Sequence, residues 1–172
     1  DGLVVVENGG VVVVGPSDTV RFEGSREAAA VAVEGDRERG YTAGWSETAC
    51  VNRWRETELA VAREAPLAPL EAVAREQGLT VVDTGFAYHV KSPEVTKGVG
   101  LSAVADELGR TPAEFAAIGD SENDAPAFDV AGWAVAVGNA DTAAQRAADH
   151  VTDATHGEGF LEAVRWLRAV TG

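Results

Sequence analysis

The stretch that decides the fold is Phe115-Ala116-Ala117-Ile118-Gly119-Asp120-Ser121-Glu122-Asn123-Asp124, a short apolar run followed at once by an acidic loop. The apolar run predicts a short buried strand, and the glycine after it permits a sharp turn. Ligands of open parallel sheets bind beyond the carboxyl ends of the strands. The loop that follows this strand is therefore the first candidate for a functional site.

Strands and helices alternate around this loop. The sequence predicts a helix from Lys97 to Leu108 before it, and after it helix 124–130, strand 133–137, helix 141–148, strand 150–152 and helix 159–170. Alternation of this kind predicts a parallel sheet with right-handed crossovers. Residues 93–172 are therefore expected to form part of a Rossmann-like α/β core.

Before Pro93 the predicted strands and helices do not alternate one by one as they do after it. Two β-branched runs flank Asn8-Gly9-Gly10 and predict a hairpin within residues 1–15, which ends at Gly15-Pro16-Ser17-Asp18. The elements expected after it are helix 25–39 with Ser25 as N-cap, strands 50–54 and 59–61, helix 69–77, and strands 79–83 and 86–90. They predict a small α+β domain with an antiparallel sheet over residues 16–92, and a boundary near residues 92–96.

Composition narrows the classes of function. The 172 residues contain 28 Asp and Glu against 14 Lys and Arg, which gives a net charge of −14. Nucleic acid and anionic membranes are poor partners for such a chain because both require a basic surface. A single cysteine, Cys50, excludes an internal disulfide and a multi-cysteine zinc site, and it reads as a small buried apolar residue. With neither a membrane-length apolar run nor a leader-like start, a cytoplasmic protein is expected.

The basic residues are almost all arginines, since Lys91 and Lys97 are the only lysines. A strong negative charge destabilises a compact chain by self-repulsion unless counterions screen it. The composition therefore suggests a halophilic protein that works in molar salt. A GC-rich genome coding for an acidic protein is the alternative.

The acidic loop predicts a metal site. Asp120, Glu122 and Asp124 bring three carboxylates into five residues at a predicted strand end. A hard divalent cation such as Mg²⁺ would relieve their repulsion by binding oxygen ligands. Asp120 lies at the strand tip, and Asp124 can cap the next helix while its side chain points back toward the same site. A solvated acidic turn, with Asp124 as an N-cap, is the alternative.

The loop, together with Lys97-Gly98 before it and Ala134-Val135-Ala136-Val137-Gly138-Asn139-Ala140 after it, resembles the haloacid dehalogenase (HAD) superfamily. Within that superfamily, Val6-Glu7-Asn8-Gly9-Gly10 and Asn52-Arg53-Trp54-Arg55-Glu56 are similar to archaeal members that hydrolyse a small phosphate ester carrying a carboxylate. The resemblance covers essentially the whole chain. It implies a Rossmann-like HAD core with a small α+β cap.

The resemblance also implies roles for particular residues. Asp120 and Asp124 would bind Mg²⁺ directly or through water, and Lys97 would pair with the substrate phosphate and the nucleophile. Ser121 and Asn123 would orient the loop and contact the phosphate or the metal shell. A surface residue at the start of a helix is the alternative for Lys97.

One element of the family pattern is absent from this sequence. The family nucleophile is the first Asp of an Asp-x-Asp-Gly motif at the end of the first core strand, and the chain has no such motif. Asp1-Gly2 does not replace it, because this pair precedes an apolar run instead of following one. We therefore expect the nucleophile to lie upstream, in a strand–helix–strand unit of at least ~30 residues.

Three further side chains are weaker candidates. If residues 50–54 form a strand, Arg53 and Arg55 share one face and could receive a substrate carboxylate. Ion pairs of these arginines with Glu56 or Glu58 are an equally good reading. His89 could point into an active-site cleft, although a structural strand histidine whose hydrogen bonds are satisfied is the simpler interpretation.

The function expected is therefore a Mg²⁺-dependent phosphatase for a small phosphorylated metabolite, with a place in carbohydrate metabolism. A phosphatase for another sugar phosphate or a nucleotide stays open, since only cap contacts would differ. A non-catalytic remnant that binds metal or a partner subunit also stays open. The oligomeric state, including a homodimer, cannot be read from the sequence.

Overall fold

The computed structural model describes residues 3–15 and 19–172. The chain divides into two compact units, Asp1–Val95 and Thr96–Gly172. The Asp1-Gly2 pair and most of the predicted break at residues 15–18 lie outside the described residues. The predicted division of the first unit into a hairpin (1–15) and a cap (16–92) stays a prediction.

The first unit begins with a three-stranded antiparallel meander. Strands β1 (Leu3–Val6), β2 (Val11–Val14) and β3 (Thr19–Phe22) pair in that order. Val6 lies opposite Val11 across the turn, so the predicted hairpin is confirmed. Strand β3 was not predicted, because four alternating residues are too short a run to stand out from the turn signals before them.

A second antiparallel sheet carries two helices on one face. Its strands run in the order β4 (Glu58–Val61), β6 (Tyr88–Lys91) and β5 (Thr80–Asp83), and the helices are α1 (Arg26–Glu38) and α2 (Leu67–Glu76). Leu59, Val61, Tyr88 and Val90 pack with the helices in one core. Because strand side chains alternate, Glu58, Ala60, His89 and Lys91 lie on the opposite face.

The helices and strands predicted for residues 25–39 and 59–90 are confirmed, but the strand predicted at residues 50–54 is not. The hydroxyl of Ser25 caps α1 by accepting a hydrogen bond from the amide of Ala28, as expected. Residues 50–54 form consecutive turns and not the predicted strand. The amides of Asn52 and Arg53 both bond back to the carbonyl of Ala49, which closes a turn where β-rich composition suggested extension.

Cys50 lies in that turn segment and is exposed, so its predicted burial is wrong. Its local sequence predicted a strand with one face turned inward. The turn exposes Cys50 and buries Asn52 instead.

The second unit is a parallel sheet with helices between its strands, as the alternation predicted. The elements are α3 (Lys97–Glu107), β7 (Ala116–Gly119), α4 (Ala125–Phe128), β8 (Trp133–Ala136), α5 (Thr142–Ala147), β9 (His150–Val151) and α6 (His156–Thr171). Strands β7, β8 and β9 pair in sequence order, and Ala117 lies beside Ala134 in register.

Strand β7 lies at the edge of this sheet and pairs, within the described residues, with β8 alone. The sequence predicted a buried strand here. Instead Ala116 is exposed, and Ala117, Ile118 and Gly119 are only partly buried. The reason is the unpaired edge, which leaves one side of the strand without a neighbour.

None of the helices in residues 3–15 and 19–172 is long and apolar enough to span a membrane.

Candidate active site

The acidic loop directly follows β7 and is folded tightly on itself. Glu122–Asp124 form one 3₁₀ turn, and the carboxylate of Asp124 folds back toward the start of the loop. A Cβ atom on Gly119 would lie 2.4 Å from Cγ of Asp124. Only glycine at this position therefore lets the Asp124 side chain reach the strand end.

Asp124 holds the loop together from inside. Its Oδ2 accepts hydrogen bonds from the amides of Asp120 (2.9 Å) and Ser121 (3.1 Å), and the residue is 8% exposed. Ser121 and Asp124 thus form a capping box at the start of the turn. The alternative in which the Asp124 side chain caps the next helix is wrong: Asp124 precedes α4, but it makes no side-chain cap hydrogen bond to that helix. The Asp124 carboxylate instead bonds back to the start of the turn, where Ser121 is the N-cap. This geometry also turns the second oxygen, Oδ1, toward Lys97.

Lys97 reaches the same loop from the first turn of α3. Its Nζ donates a hydrogen bond to Oδ1 of Asn123 at 2.9 Å and forms an ion pair with Oδ1 of Asp124. The hydroxyl of Ser121 also donates to Oδ1 of Asn123, at 2.8 Å. The structure therefore brings together four of the predicted site residues, Lys97, Ser121, Asn123 and Asp124.

The position of Lys97 depends on close packing between α3 and α4. A Cβ atom on Gly98 would lie 2.2 Å from the carbonyl oxygen of Pro126, so the two segments touch through the backbone. The hydroxyl of Thr96 caps α3 by accepting a hydrogen bond from the amide of Val99. The lysine thereby starts its helix directly beside the acidic loop.

Asp120 differs from Asp124 in being open to solvent. It is exposed, and no hydrogen bond joins its carboxylate to the described residues, while its backbone carbonyl accepts from the amide of Asp141 at 2.9 Å. The carboxylate of Asp141 in turn accepts from the amide of Glu122 at 2.7 Å. The loop after β8 thus braces the acidic loop and leaves the Asp120 side chain available.

Asp141 is a site residue that the sequence reasoning missed. It is the N-cap of α5, where its Oδ1 accepts from the amide of Ala144 while Oδ2 reaches Glu122. The signal was an Asp immediately before a predicted helix. Nothing in the sequence showed that its second oxygen would reach the acidic loop.

The donor chemistry at this strand end suits a hard cation in part. Asp120 offers an unpaired carboxylate, the type of ligand that Mg²⁺ prefers. Both oxygens of Asp124 already accept hydrogen bonds or an ion pair, which fits a role through water better than a direct one. Across residues 3–15 and 19–172, no three His, Cys, Asp or Glu side chains group closely enough to hold a metal by themselves.

The two arginines predicted to bind substrate lie in the first unit. Arg53 is exposed on the turn and forms no ion pair with the described residues. Arg55 forms an ion pair with Glu58, and its Nε donates to the carbonyl of Val51 at 2.9 Å. Arg55 therefore follows the ion-pair reading, which the sequence had placed level with a role in substrate binding.

His89 is buried and bonded to Glu58, as the simpler interpretation had it. Its Nδ1 lies 2.7 Å from Oε1 of Glu58, which is fully buried. Burial opposes the ionisation of Glu58, but hydrogen bonds from His89 and Asn8 and the charges of His89 and Arg55 outweigh it. The pKa of Glu58 consequently lies below its usual value.

Lys91 is almost fully buried next to this pair. Its ammonium donates to the carbonyl oxygens of Ser92 and Val95. Burial lowers the pKa of Lys91, an effect that the charge of Glu58 opposes. The two lysines of the chain thus have different environments, one inside the first unit and one at the acidic loop.

Comparison with known proteins assigns a class to this arrangement. Residues 70–164 match the profile of the haloacid dehalogenase-like hydrolases. The chain belongs to this family. Its fold agrees, since a crystal structure of Thermoplasma acidophilum 0175 superimposes with a TM-score of 0.81 at 21% identity, over 97% of this chain and 72% of that one.

Two relatives that share half or more of their aligned residues with this chain carry a more specific name. Phosphoglycolate phosphatase of Haloarcula marismortui is 57% identical over 95% of this chain and 72% of its own length. The protein of the same name from Halobacterium salinarum is 50% identical over 98% of this chain and 74% of its own length. A HAD subclass IIB sugar phosphatase shares the fold at 16% identity, with a TM-score of 0.74.

Proposed function

We propose that the chain is part of a Mg²⁺-dependent phosphoglycolate phosphatase, which hydrolyses 2-phosphoglycolate to glycolate and phosphate. The observation that carries the proposal is the cluster of Lys97, Asn123 and Asp124 beside the open carboxylate of Asp120. The names of the similar proteins from halophilic archaea support the choice of substrate. The cytoplasmic location predicted from the sequence stays a prediction.

Lys97 has the chemistry of a phosphate-binding group. An ammonium has three N–H donors, and the hydrogen bonds to Asn123 and Asp124 use two of them. The third is left for a phosphate oxygen. Because Asp124 and Asn123 hold the ammonium in place, little reorganisation is needed when negative charge develops on the transferred phosphoryl group.

Asp120 would hold the metal ion, with Asp124 contributing through water. Bound Mg²⁺ would offset the repulsion between the carboxylates and the substrate phosphate. Ser121 and Asn123 keep the loop in the shape that presents Asp120 to the substrate. The bond-making step needs a nucleophile from outside this sequence, an Asp whose carboxylate attacks phosphorus and releases glycolate. Water then hydrolyses the resulting aspartyl-phosphate.

The open edge of β7 supports a nucleophile on an adjacent strand. Neighbouring strands lie about 4.8 Å apart, so a strand added parallel to β7 would end beside Asp120. An Asp at the end of that strand would face the metal ligand and Lys97. The four apolar side chains of β1 support an additional segment as well, because each is 37–49% exposed although the run Leu3–Val6 reads as a strand buried on both faces.

The substrate carboxylate would be received by an arginine. Arg53 is the better candidate, because it is exposed and outside any ion pair of the described residues, whereas Arg55 is held by Glu58. A guanidinium suits a carboxylate through two parallel hydrogen bonds. We therefore expect Arg53→Ala to weaken binding of phosphoglycolate more than that of phosphate esters without a carboxylate.

The test is phosphate release by the chain extended with the segment encoded directly upstream. We expect Mg²⁺-dependent hydrolysis of 2-phosphoglycolate, loss of it in EDTA, and no activity of the 172-residue chain alone. Asp106→Asn, an exposed carboxylate on α3, is the matched control for Asp120→Asn. Faster hydrolysis of a sugar phosphate or a nucleotide than of 2-phosphoglycolate would contradict the proposed substrate. Inactivity of the extended chain on all of these esters would support the non-catalytic reading.

A further inference from the structure

The turn after β1 has a strained backbone. Glu7 and Asn8 have φ angles of +53° and +55°, and Gly9 follows with φ of +102°. Left-handed residues other than glycine are uncommon because their Cβ crowds the backbone, and they persist only where the surroundings hold them. Two in succession therefore need a strong external support.

That support comes from the segment that leads into β4. The carboxylate of Glu7 accepts hydrogen bonds from the amides of Glu56 (2.8 Å) and Thr57 (2.7 Å) and from the hydroxyl of Thr57 (2.6 Å). The side-chain amide of Asn8 donates to Oε2 of Glu58 at 2.9 Å. The side chains of both left-handed residues are thus hydrogen-bonded to the consecutive residues Glu56, Thr57 and Glu58.

Burying the carboxylate of Glu58 costs free energy, because a charged group loses its contact with water. Glu58 is a fully buried carboxylate whose cross-strand neighbour is the buried Lys91, and His89 and Arg55 both contact its other oxygen. Replacing a buried ionic group by a packed apolar residue is often neutral or stabilising, so stability alone does not account for it. What the group provides here is a defined position for Asn8.

We propose that Glu58 is a positioning residue which, supported by His89, holds Asn8 and the Glu7–Gly9 turn in the conformation that the phosphatase reaction requires. This inference rests on the proposed function. It assigns a purpose to three features that the acidic loop leaves unexplained: the left-handed turn, the buried Glu58–His89 pair and the Arg55 ion pair. Strain of this kind clusters at functional sites.

The experiment is a double-mutant cycle in the extended, active protein. Glu58→Gln removes the charge and keeps the shape. Asn8→Gly keeps the left-handed backbone accessible and removes the hydrogen bond to Glu58. We expect each change to lower kcat by about tenfold or more, with KM altered by less than about threefold, because misplacement affects the transition state most. The double variant should lose little beyond either single one, because both act through the same contact.

Glu64→Gln, an exposed carboxylate three residues beyond β4, is the matched control and should leave kcat unchanged. Unchanged kcat in Glu58→Gln, or losses that add up in the double variant, would overturn the positioning role. If Glu58→Gln fails to fold, Asn8→Gly alone decides, since a purely structural Glu58 predicts normal kcat for that variant. An inactive parent protein would instead refute the proposed function itself.

Discussion

The ammonium of Lys97 and the carboxylate of Asp124 form an ion pair that joins the first turn of α3 to the loop after β7, across 27 positions of sequence. The same carboxylate accepts the amides of Asp120 and Ser121 through its other oxygen. The Asp124 side chain therefore fixes the shape of the acidic loop and also holds the Lys97 ammonium beside that loop. Because Asp124 has both functions, we expect substitutions of Lys97, Asp120 and Asp124 to differ in their effects on activity and on stability.

Lys97→Met should abolish most phosphatase activity in the extended protein. Removing a preorganised donor to a transition-state charge costs on the order of 10²–10³ in kcat. Lys97→Arg should not restore the rate, because a planar guanidinium cannot occupy the place of a compact ammonium between Asn123 and Asp124. Phosphate release measures the effect, and Arg168→Met, on the exposed side of α6, is the control. A normal rate in Lys97→Met would mean that this lysine is only a surface residue at the start of a helix.

Asp120→Asn and Asp124→Asn should differ in stability although both lose activity. Asp120 is exposed and its carboxylate accepts no hydrogen bond from the described residues, so its variant should unfold at the same urea concentration as the parent. Asp124→Asn weakens the capping box and the ion pair, and we expect a loss of about 1–2 kcal/mol in the free energy of unfolding. Urea titration of the 172-residue chain in molar KCl measures both. Equal stability of the two variants would contradict the structural role of Asp124.

Gly98→Ala should destabilise the second unit. The added Cβ would lie 2.2 Å from the carbonyl oxygen of Pro126, a backbone atom that cannot move aside without shifting α4. Overpacking of this kind costs about 1–3 kcal/mol. Gly157→Ala is a matched control in α6, since its Cβ would meet nothing within 4 Å. That change should be neutral or stabilising because alanine favours the helix. Thermal unfolding of both variants provides the comparison, and equal melting temperatures would argue against contact between α3 and α4.

Asp36 should make the first unit less stable as the pH rises. Neither oxygen of this fully buried carboxyl has a hydrogen-bond partner among residues 3–15 and 19–172, and burial raises its pKa, with the charge of Arg39 opposing the shift. Because the folded pKa lies above the unfolded value, the group favours folding below the unfolded pKa. This contribution is lost as the pH rises through the folded pKa.

Asp36→Asn removes that dependence. The variant should be more stable than the parent at neutral pH, on the order of 1 kcal/mol, and the difference should vanish toward acid pH. Unfolding by urea at a series of pH values tests this, with the exposed Glu38→Gln on the same helix as control. A difference that stays constant with pH would mean that Asp36 does not titrate in this range.

The melting temperature of the chain should rise steadily with KCl. A net charge of −14 on 172 residues repels itself in dilute buffer. The screening length falls from about 10 Å at ~0.1 M salt to about 3 Å at ~1 M. We expect the increase to continue beyond the range where simple screening is complete, as for a surface that binds water and counterions. Sucrose at matched osmolality is the control for general solute effects. A melting temperature independent of KCl would refute the halophilic interpretation.

The local elements could be read from the sequence because their signals are local. The apolar run before Gly119, the N-cap at Ser25 and the helix that starts at Lys97 each depend on neighbours within a few residues. The strand predicted at residues 50–54 was wrong for the same reason, because that prediction also rested on local composition. The composition of this segment favours extension, but hydrogen bonds to the carbonyl of Ala49 close a turn.

The sequence by itself determined the chemistry of the site: an acidic loop after a strand, a lysine at a helix start, and the absence of the family nucleophile from these 172 residues. Only the tertiary structure decided which groups are already engaged. It bonded Asp124 to Lys97, left the Asp120 side chain exposed and paired Arg55 with the buried Glu58. The physical reason is that an ion pair or a buried hydrogen bond depends on the distance and burial of residues far apart in the chain, which residue order does not encode locally.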